Sequence, residues 1–460
     1  MLYSSTRMND KNVEFSQVLM NGLAKDGGLY VPNEIPKLSQ RDLKLFKEMS
    51  YADLVFEITK RYVVSEQIPE KSYKKICNKT YGKEFGKKLI SIDKLNDNEF
   101  ILNLFHGPTL AFKDYALQLL GNLYDYILKK KKENLTLIGA TSGDTGSAAI
   151  HGCSKSKKAK IFILFPKNKI SEVQRKQMTT YVSENVFNIA VKGNFDDCQK
   201  LVKDFFKLNV KTKKYNLGAV NSINWVRILG QIVYYFWAYL RIEKNFKPIN
   251  FVVPTGNFGN VYAGFISKKM GLPINKLIVC SNKNDILTRF FNSGEMKKKK
   301  VVKSLSPSMD IQVSSNFERL IFNYISNGKR VSKFFNELDN KGNFIIPKKI
   351  LDSMLNEFSG GKLNDRAILN TIKNIYKKFS IIIDPHTAVG YSVGNKILKK
   401  SEKRVYLATA HYSKFMETVE DSIKKKLNYP DKLKKILKKD EEFLLINNSL
   451  NELESLVDSN

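Results

Sequence analysis

From about residue 90 onward, short apolar runs rich in β-branched and aromatic residues alternate with stretches whose apolar positions recur every three or four residues. The runs at 100–104, 135–140, 160–165, 186–191, 251–253 and 277–280 predict strands. Ala116, Leu119, Leu120, Leu123 and Ile127 follow the first run at helical spacing, and Leu201, Phe205 and Phe206 follow the fourth. Strand and helix in alternation predict an α/β fold with buried parallel sheets. Residues 1–90 read differently, as short helical stretches at 43–46 and 51–62 joined by turns such as Asp26-Gly27-Gly28. They are expected to form an N-terminal cap domain. Residues 91–417 then hold two α/β lobes, and 418–460 a charged helical tail. No internal repeat is visible.

Composition narrows the class. Of 460 residues, 42% are hydrophobic and 11% aromatic, enough to bury a large core and against intrinsic disorder. At about 150 residues per domain, two or three domains are expected. The longest apolar candidate, 228–240, contains Gln231 and is flanked by Arg227 and Arg241. It falls short of the ~18 residues a membrane span needs. The first twenty residues carry Asp10, Lys11 and Glu14 without an apolar block, so no secretory signal is read. The expectation is a soluble, cytoplasmic protein.

Cys77, Cys153, Cys198 and Cys280 lie far apart, with no CxxC pair. Free, mostly buried thiols are expected, with neither a zinc site nor a disulfide framework. His106, His151, His386 and His411 are equally scattered, so no metal is expected.

Lys plus Arg number 77 against 45 Asp plus Glu, a net charge of +32. The densest runs, at 129–132, 297–300 and 432–439, are separate and lack interleaved aromatics. A nucleic-acid footprint clusters on one element. Spread this way, the charge reads as a solvated lysine-rich surface, with neither nucleic acid nor membrane as partner.

Candidate chemistry lies in four segments. Lys113, in His106-Gly107-Pro108-Thr109-Leu110-Ala111-Phe112-Lys113-Asp114, opens a helix after a strand and a Gly-Pro turn. A cation at a helix N-terminus opposes the macrodipole, which favours the neutral amine that a Schiff-base lysine needs. Gly139-Ala140-Thr141-Ser142-Gly143-Asp144-Thr145-Gly146 follows a strand directly, and Pro254-Thr255-Gly256-Asn257-Phe258-Gly259-Asn260 follows another. Both present backbone N–H groups suited to an anion. Neither matches GxGxxG or GxxxxGK[ST], so dinucleotide and Walker-type readings fail. Asn221-Ser222-Ile223-Asn224-Trp225-Val226-Arg227 opens an apolar helix. There Arg227 either grips a phosphate or lies on the wet side of a capped core helix. Two anion cradles and a helix-opening lysine in one sheet system are most simply explained by a phosphate-bearing carbonyl cofactor.

Taken together, these segments resemble the threonine synthase family, pyridoxal-phosphate enzymes of the tryptophan-synthase-β-like fold type II group. The resemblance extends along nearly the whole chain. It includes Tyr3-Ser4-Ser5-Thr6-Arg7, the stretch from Gly22 to Pro32, Asp384-Pro385-His386-Thr387-Ala388-Val389-Gly390, and Ala408-Thr409-Ala410-His411. The SGDTG spelling is similar to the branch found in bacteria and fungi. It implies two parallel-sheet lobes with an N-terminal domain and pyridoxal 5′-phosphate as cofactor. The implied reaction turns O-phospho-L-homoserine and water into L-threonine and phosphate, as a carbon–oxygen lyase acting on phosphates.

Carried over residue by residue, Lys113 would hold the cofactor as a Schiff base and act as catalytic base and acid. Gly256, Asn257, Phe258, Gly259 and Asn260 would bind the cofactor phosphate, and Thr409 would face the pyridine nitrogen. Asp144, where related enzymes carry Asn, would lie near the cofactor 3′-oxygen; a carboxylate there needs a proton or a different partner. Thr141, Ser142 and Thr145 would receive the substrate α-carboxylate, and Asn221, Ser222 and Arg227 the substrate phosphate. The family often continues His411 with Pro-Ala, where this chain has Tyr412-Ser413. A monomer is expected, or at most a homodimer. The alternative within enzymes is a related phospho-lyase or dehydratase releasing 2-oxobutyrate. A basic nucleic-acid-binding protein is the distant one.

Overall fold

The computed structural model describes all residues except 83, 84, 86, 87 and 142. Two compact units emerge. The larger comprises residues 1–18, 23–112 and 222–427, the smaller 19–22, 113–221 and 428–460.

In the larger unit a six-stranded sheet runs in the order Phe358–Lys362, Ile274–Ser281, Ile249–Pro254, Arg404–Ala408, Glu99–Asn103, Ser91–Lys94. Every pairing is parallel except the last. The central strands Ile249–Pro254 and Arg404–Ala408 are buried along their whole length, as parallel strands covered on both faces are; the second was not among the expected strands. Ile101, Val252, Ile278 and Tyr406 from four strands join Val389 and Val393 of the helix Pro385–Ile397 in one core. Each large apolar side chain so buried stabilises the fold by about 1.5–3 kcal/mol. A three-stranded antiparallel sheet sets Leu2–Ser5 between Val13–Glu14 and Tyr30–Pro32.

In the smaller unit five parallel strands lie in the order Leu444–Ile446, Val186–Val191, Ala159–Pro166, Leu135–Ala140, Leu217–Ala219. Its core joins Ile138, Phe162 and Ile189 with Leu201 and Phe205 of the helix Phe195–Thr212. Ile446, Leu453 and Val457 from the end of the chain complete it. The tail, expected to be helical, therefore also supplies an edge strand.

The helices Lys113–Lys131 and Asp144–Cys153 cross at a pair of glycines. A Cβ on Gly121 would meet Gly152 O at 1.9 Å, and one on Gly152 would meet Leu117 O at 2.3 Å. Only two bare backbones approach so closely. That contact fixes the position of two helices whose first residues are Lys113 and Asp144.

All four cysteines are buried. Among the described residues no helix is long and apolar enough to cross a membrane.

Candidate active site

In the smaller unit, Lys113 Nζ lies 3.4 Å from Asp144 Oδ2, with side-chain exposures of 13% and 4%. Gln174 Nε2 donates to the other carboxylate oxygen at 3.0 Å. Gln174 is held in turn by the cap of its helix, Glu172–Thr179. Ser171 Oγ accepts from Gln174 N at 3.3 Å and donates to Gln174 Oε1 at 3.0 Å. The Asp144 carboxylate thus has a lysine on one side and an amide on the other.

The loop before Asp144 is tied by Thr141, whose hydroxyl oxygen accepts from Gly143 N at 3.0 Å and Gly146 N at 2.9 Å. Thr141 is buried and Thr145 half-buried. Ser142, a candidate for the α-carboxylate, lies outside the described residues. Asn221 is the last residue of this unit in the 113–221 segment.

In the larger unit, the strand Ile249–Pro254 ends in the second glycine-containing loop. Phe258 adopts a left-handed φ of +61° and caps the helix Gly259–Lys269, leaving the N–H groups of its first turn to outside acceptors. A Cβ on Gly256 would meet Ser308 O at 2.8 Å and Ile311 Cδ1 at 3.0 Å, so the backbone here has room for no side chain. Asn260 Oδ1 accepts from Tyr234 at 2.6 Å and Tyr235 at 2.9 Å, while its buried Nδ2 has no hydrogen-bond partner among the described residues. A buried donor left unmet costs about 1–3 kcal/mol. A helix N-terminus, a turn with no room for a side chain at Gly256 and an unmet amide donor suit an anionic group such as the phosphate of pyridoxal phosphate.

Beside this loop, Asn257 O accepts from Asn316 N at 3.1 Å and Asn316 Nδ2 at 3.0 Å. Ser314 Oγ donates to Gly256 O at 2.7 Å, and Ser315 Oγ to Asn257 Oδ1 at 3.3 Å. Ser315 also lies 3.1 Å from Ser222 Oγ. Arg227, third residue of the helix Trp225–Ile242, is 3% exposed. It is not on a wet face, because that helix is buried almost throughout.

Thr409 follows the strand Arg404–Ala408 and is buried. Its carbonyl accepts from Phe112 N at 2.9 Å, and Leu110 O accepts from His411 N at 3.0 Å. These bonds zip the turn preceding Lys113 to the Thr409 segment. Lys414, 2% exposed, donates to Thr109 O at 2.9 Å, fixing the same turn from its other end. His411 Nδ1 accepts from Ser413 N at 3.2 Å and lies 2.7 Å from Ser413 Oγ, so the proton sits on Nε2. Burial, followed by His106, pulls the imidazole down to about 4; Asp384 opposes this, and Lys414 adds the weakest downward effect. Asp384 caps the helix Pro385–Ile397 and bonds His386 Nδ1 at 2.6 Å. His386 Nε2 accepts from Ser308 N at 3.2 Å, against the Gly256 turn.

Sequence reasoning missed Gln174, Ser315, Asn316, Arg319 and Lys414. Weak signals existed: Ser171 three residues before Gln174 is a cap spelling, and Ser314-Ser315-Asn316 is a polar run opening the helix Phe317–Ile325. Among the described residues no group of three or more His, Cys, Asp or Glu is placed to hold a metal ion.

Three family descriptions match successive parts of the chain. These are "Threonine synthase N terminus" over residues 2–81, "Pyridoxal-phosphate dependent enzyme" over 88–333, and "Threonine synthase, C-terminal" over 387–457. The threonine synthase of Pseudomonas aeruginosa is 42% identical, over 99% of this chain and 98% of its own. That of Saccharomyces cerevisiae is 40% identical, over 96% and 95%. The crystal structure of pyridoxal-phosphate-bound threonine synthase from Brucella melitensis superposes with a TM-score of 0.96 at 39% identity, covering 100% of this chain and 99% of that one. The yeast threonine synthase structure gives 0.93 at 38% identity, covering 99% and 98%.

Proposed function

The chain belongs to the threonine synthase family, and on that premise we propose how its own residues carry out the reaction. The activity is the conversion of O-phospho-L-homoserine and water to L-threonine and phosphate, with pyridoxal phosphate as cofactor. When bound, the cofactor is the electron sink for charge that develops on the substrate carbons. The observation that carries the assignment of roles is Lys113 at a helix start, 3.4 Å from a nearly buried Asp144.

Lys113 is the group that holds the cofactor and moves protons at the substrate α- and β-carbons. Asp144 gives its ammonium form an anionic partner, and Gln174 keeps that carboxylate in place. Gly256, Asn257, Phe258, Gly259 and Asn260 hold the cofactor phosphate, with the unmet Nδ2 of Asn260 as a side-chain donor. Thr409 faces the pyridine nitrogen; a hydroxyl there protonates the ring less strongly than a carboxylate would. Thr141, Ser142 and Thr145 orient the α-carboxylate, and Asn221, Ser222 and Arg227 take the leaving phosphate. At the substrate, the Cγ–O bond to phosphate breaks, Cγ gains a proton, and water adds its oxygen at Cβ.

The remaining parts of this reading are a small-molecule substrate, a cytoplasmic location and a monomer or homodimer. Light scattering on the purified protein tests the last. The activity is tested by following threonine and inorganic phosphate together for wild type and Lys113→Ala. Equal yields in wild type and none in the variant are expected. 2-Oxobutyrate as the main product would move the enzyme to the lyase alternative.

A further inference from the structure

The segment containing Ser222 and the loop containing Asn257 are distant in sequence, yet one side chain holds both. Asn316 is fully buried. Its Nδ2 donates to Ser222 O at 3.1 Å and to Asn257 O at 3.0 Å. An amide has two ends, and only its NH2 end can serve two carbonyls. Arg319 decides which end faces them. Its guanidinium is all donors, and Nη1 donates to Asn316 Oδ1, which forces Nδ2 toward the carbonyls. The other arms of the same guanidinium donate to Ile223 O at 2.6 Å and Tyr30 O at 2.9 Å. Arg319 therefore grips the residue after Ser222 directly and Ser222 itself through Asn316.

The cost of this arrangement shows that it is specific. Arg319 has no exposed surface, and its three bonds go to neutral oxygens. The neighbouring Glu318 carboxylate is taken by Thr6 and Arg7. A buried cation without a paired anion is destabilising relative to an apolar residue of similar volume, so space-filling does not explain it. The guanidinium does what an apolar side chain could not: it orders two backbone segments and one amide at once.

We propose that Asn316 and Arg319 are a positioning pair that locks the cofactor-phosphate loop and the substrate-phosphate segment into one register, so that the two phosphate monoester sites form together. The inference rests on the assignment of Asn257 and Ser222 to those sites under the proposed function. Neither Asn316 nor Arg319 needs to touch a phosphate. Each acts through the backbone carbonyls of residues that do.

The test uses full-length holoenzyme carrying Asn316→Ala, Arg319→Lys or both, with Ser222→Ala alongside. Two constants are read: KM for O-phospho-L-homoserine and the rate of pyridoxal phosphate release on dilution. In each positioning variant both are expected to rise, by roughly tenfold or more, with a smaller change in kcat. The double variant should fall short of the product of the two single effects, because both changes share the Asn316 amide while Arg319 keeps bonds of its own to Ile223 O and Tyr30 O. Movement of only one constant, or of neither in a variant that keeps its circular dichroism spectrum, overturns the coupling; so do effects that multiply in the double variant. Should Asn316→Ala fail to fold, Arg319→Lys, which keeps the charge and loses the fork, gives the same reading. An unchanged KM in Ser222→Ala rejects the substrate-phosphate assignment itself, a result distinct from the others.

Discussion

Lys113 Nζ and Asp144 Oδ2 stand 3.4 Å apart at the first residues of two helices that cross through Gly121 and Gly152. The pair is partly buried, so its attraction is screened less than on an open surface. Asp144→Asn keeps the shape and an acceptor for Gln174 but removes the charge facing the lysine. kcat/KM for threonine formation is expected to fall roughly tenfold or more, with the thermal unfolding midpoint little changed. Unaltered kinetics in a cofactor-loaded variant would remove Asp144 from the machinery.

The Gly256 turn gives a prediction about affinity rather than rate. An alanine methyl there would lie 2.8 Å from the backbone oxygen of Ser308 and 3.0 Å from Ile311 Cδ1. Backbone cannot yield as a flexible side chain can, so the turn shifts and the phosphate donors with it. Gly256→Ala should release pyridoxal phosphate on gel filtration under conditions in which the wild type retains it. Full cofactor retention by the variant would show that the cradle lies elsewhere.

These contacts show what a sequence gives away and what it withholds. The strands Leu135–Ala140 and Val186–Val191 were legible because parallel strands covered on both faces are mostly apolar, here with one polar side chain each, Thr136 and Asn188. Phe358–Lys362 was not, since its Gly360-Gly361 pair breaks the pattern, and Leu444–Ile446 is a three-residue edge with two exposed side chains. Lys113 and the glycine loops stood out because helix starts and small-residue turns are local features. Gln174 and Asn316 act across 30 and 94 residues, on Asp144 and Ser222 respectively. Spacing carries no information about such pairs. The N-terminal Tyr3 to Arg7 motif was visible as a resemblance, but its physical work, bonding Glu318, lay 311 residues away.

That work is measurable. Glu318 is buried and accepts from Thr6 Oγ1 at 2.6 Å, Arg7 Nε at 3.2 Å and Arg7 Nη2 at 3.3 Å. Arg7→Met leaves the carboxylate buried without its counter-charge. A loss of about 2–3 kcal/mol is expected in urea unfolding, at the low end for buried pairs because Arg7 is partly exposed. Adding Glu318→Gln should recover part of it, since a neutral amide is cheaper to bury. A double variant as unstable as the sum of the two single changes would show that the ion pair is not the cause.

His411 predicts a pH dependence of stability. Its imidazole is held at about 4 against an ordinary value of 6.5, first by burial and then by His106, with Asp384 opposing. Between those two values the unfolded chain binds a proton that the folded protein refuses. Stability from this group is therefore complete above about pH 6.5 and falls as the solution is acidified toward 4. Its size is about 3 kcal/mol at most, at 1.36 kcal/mol per pH unit. His106, also drawn below its ordinary value by burial first, adds in the same direction. His411→Asn keeps an acceptor for the Ser413 N–H and has nothing to protonate in this range. Urea unfolding of the variant should give a shallower decline between pH 6.5 and 4 than that of wild type. Parallel curves for the two proteins would mean that His411 takes up its proton in the folded state.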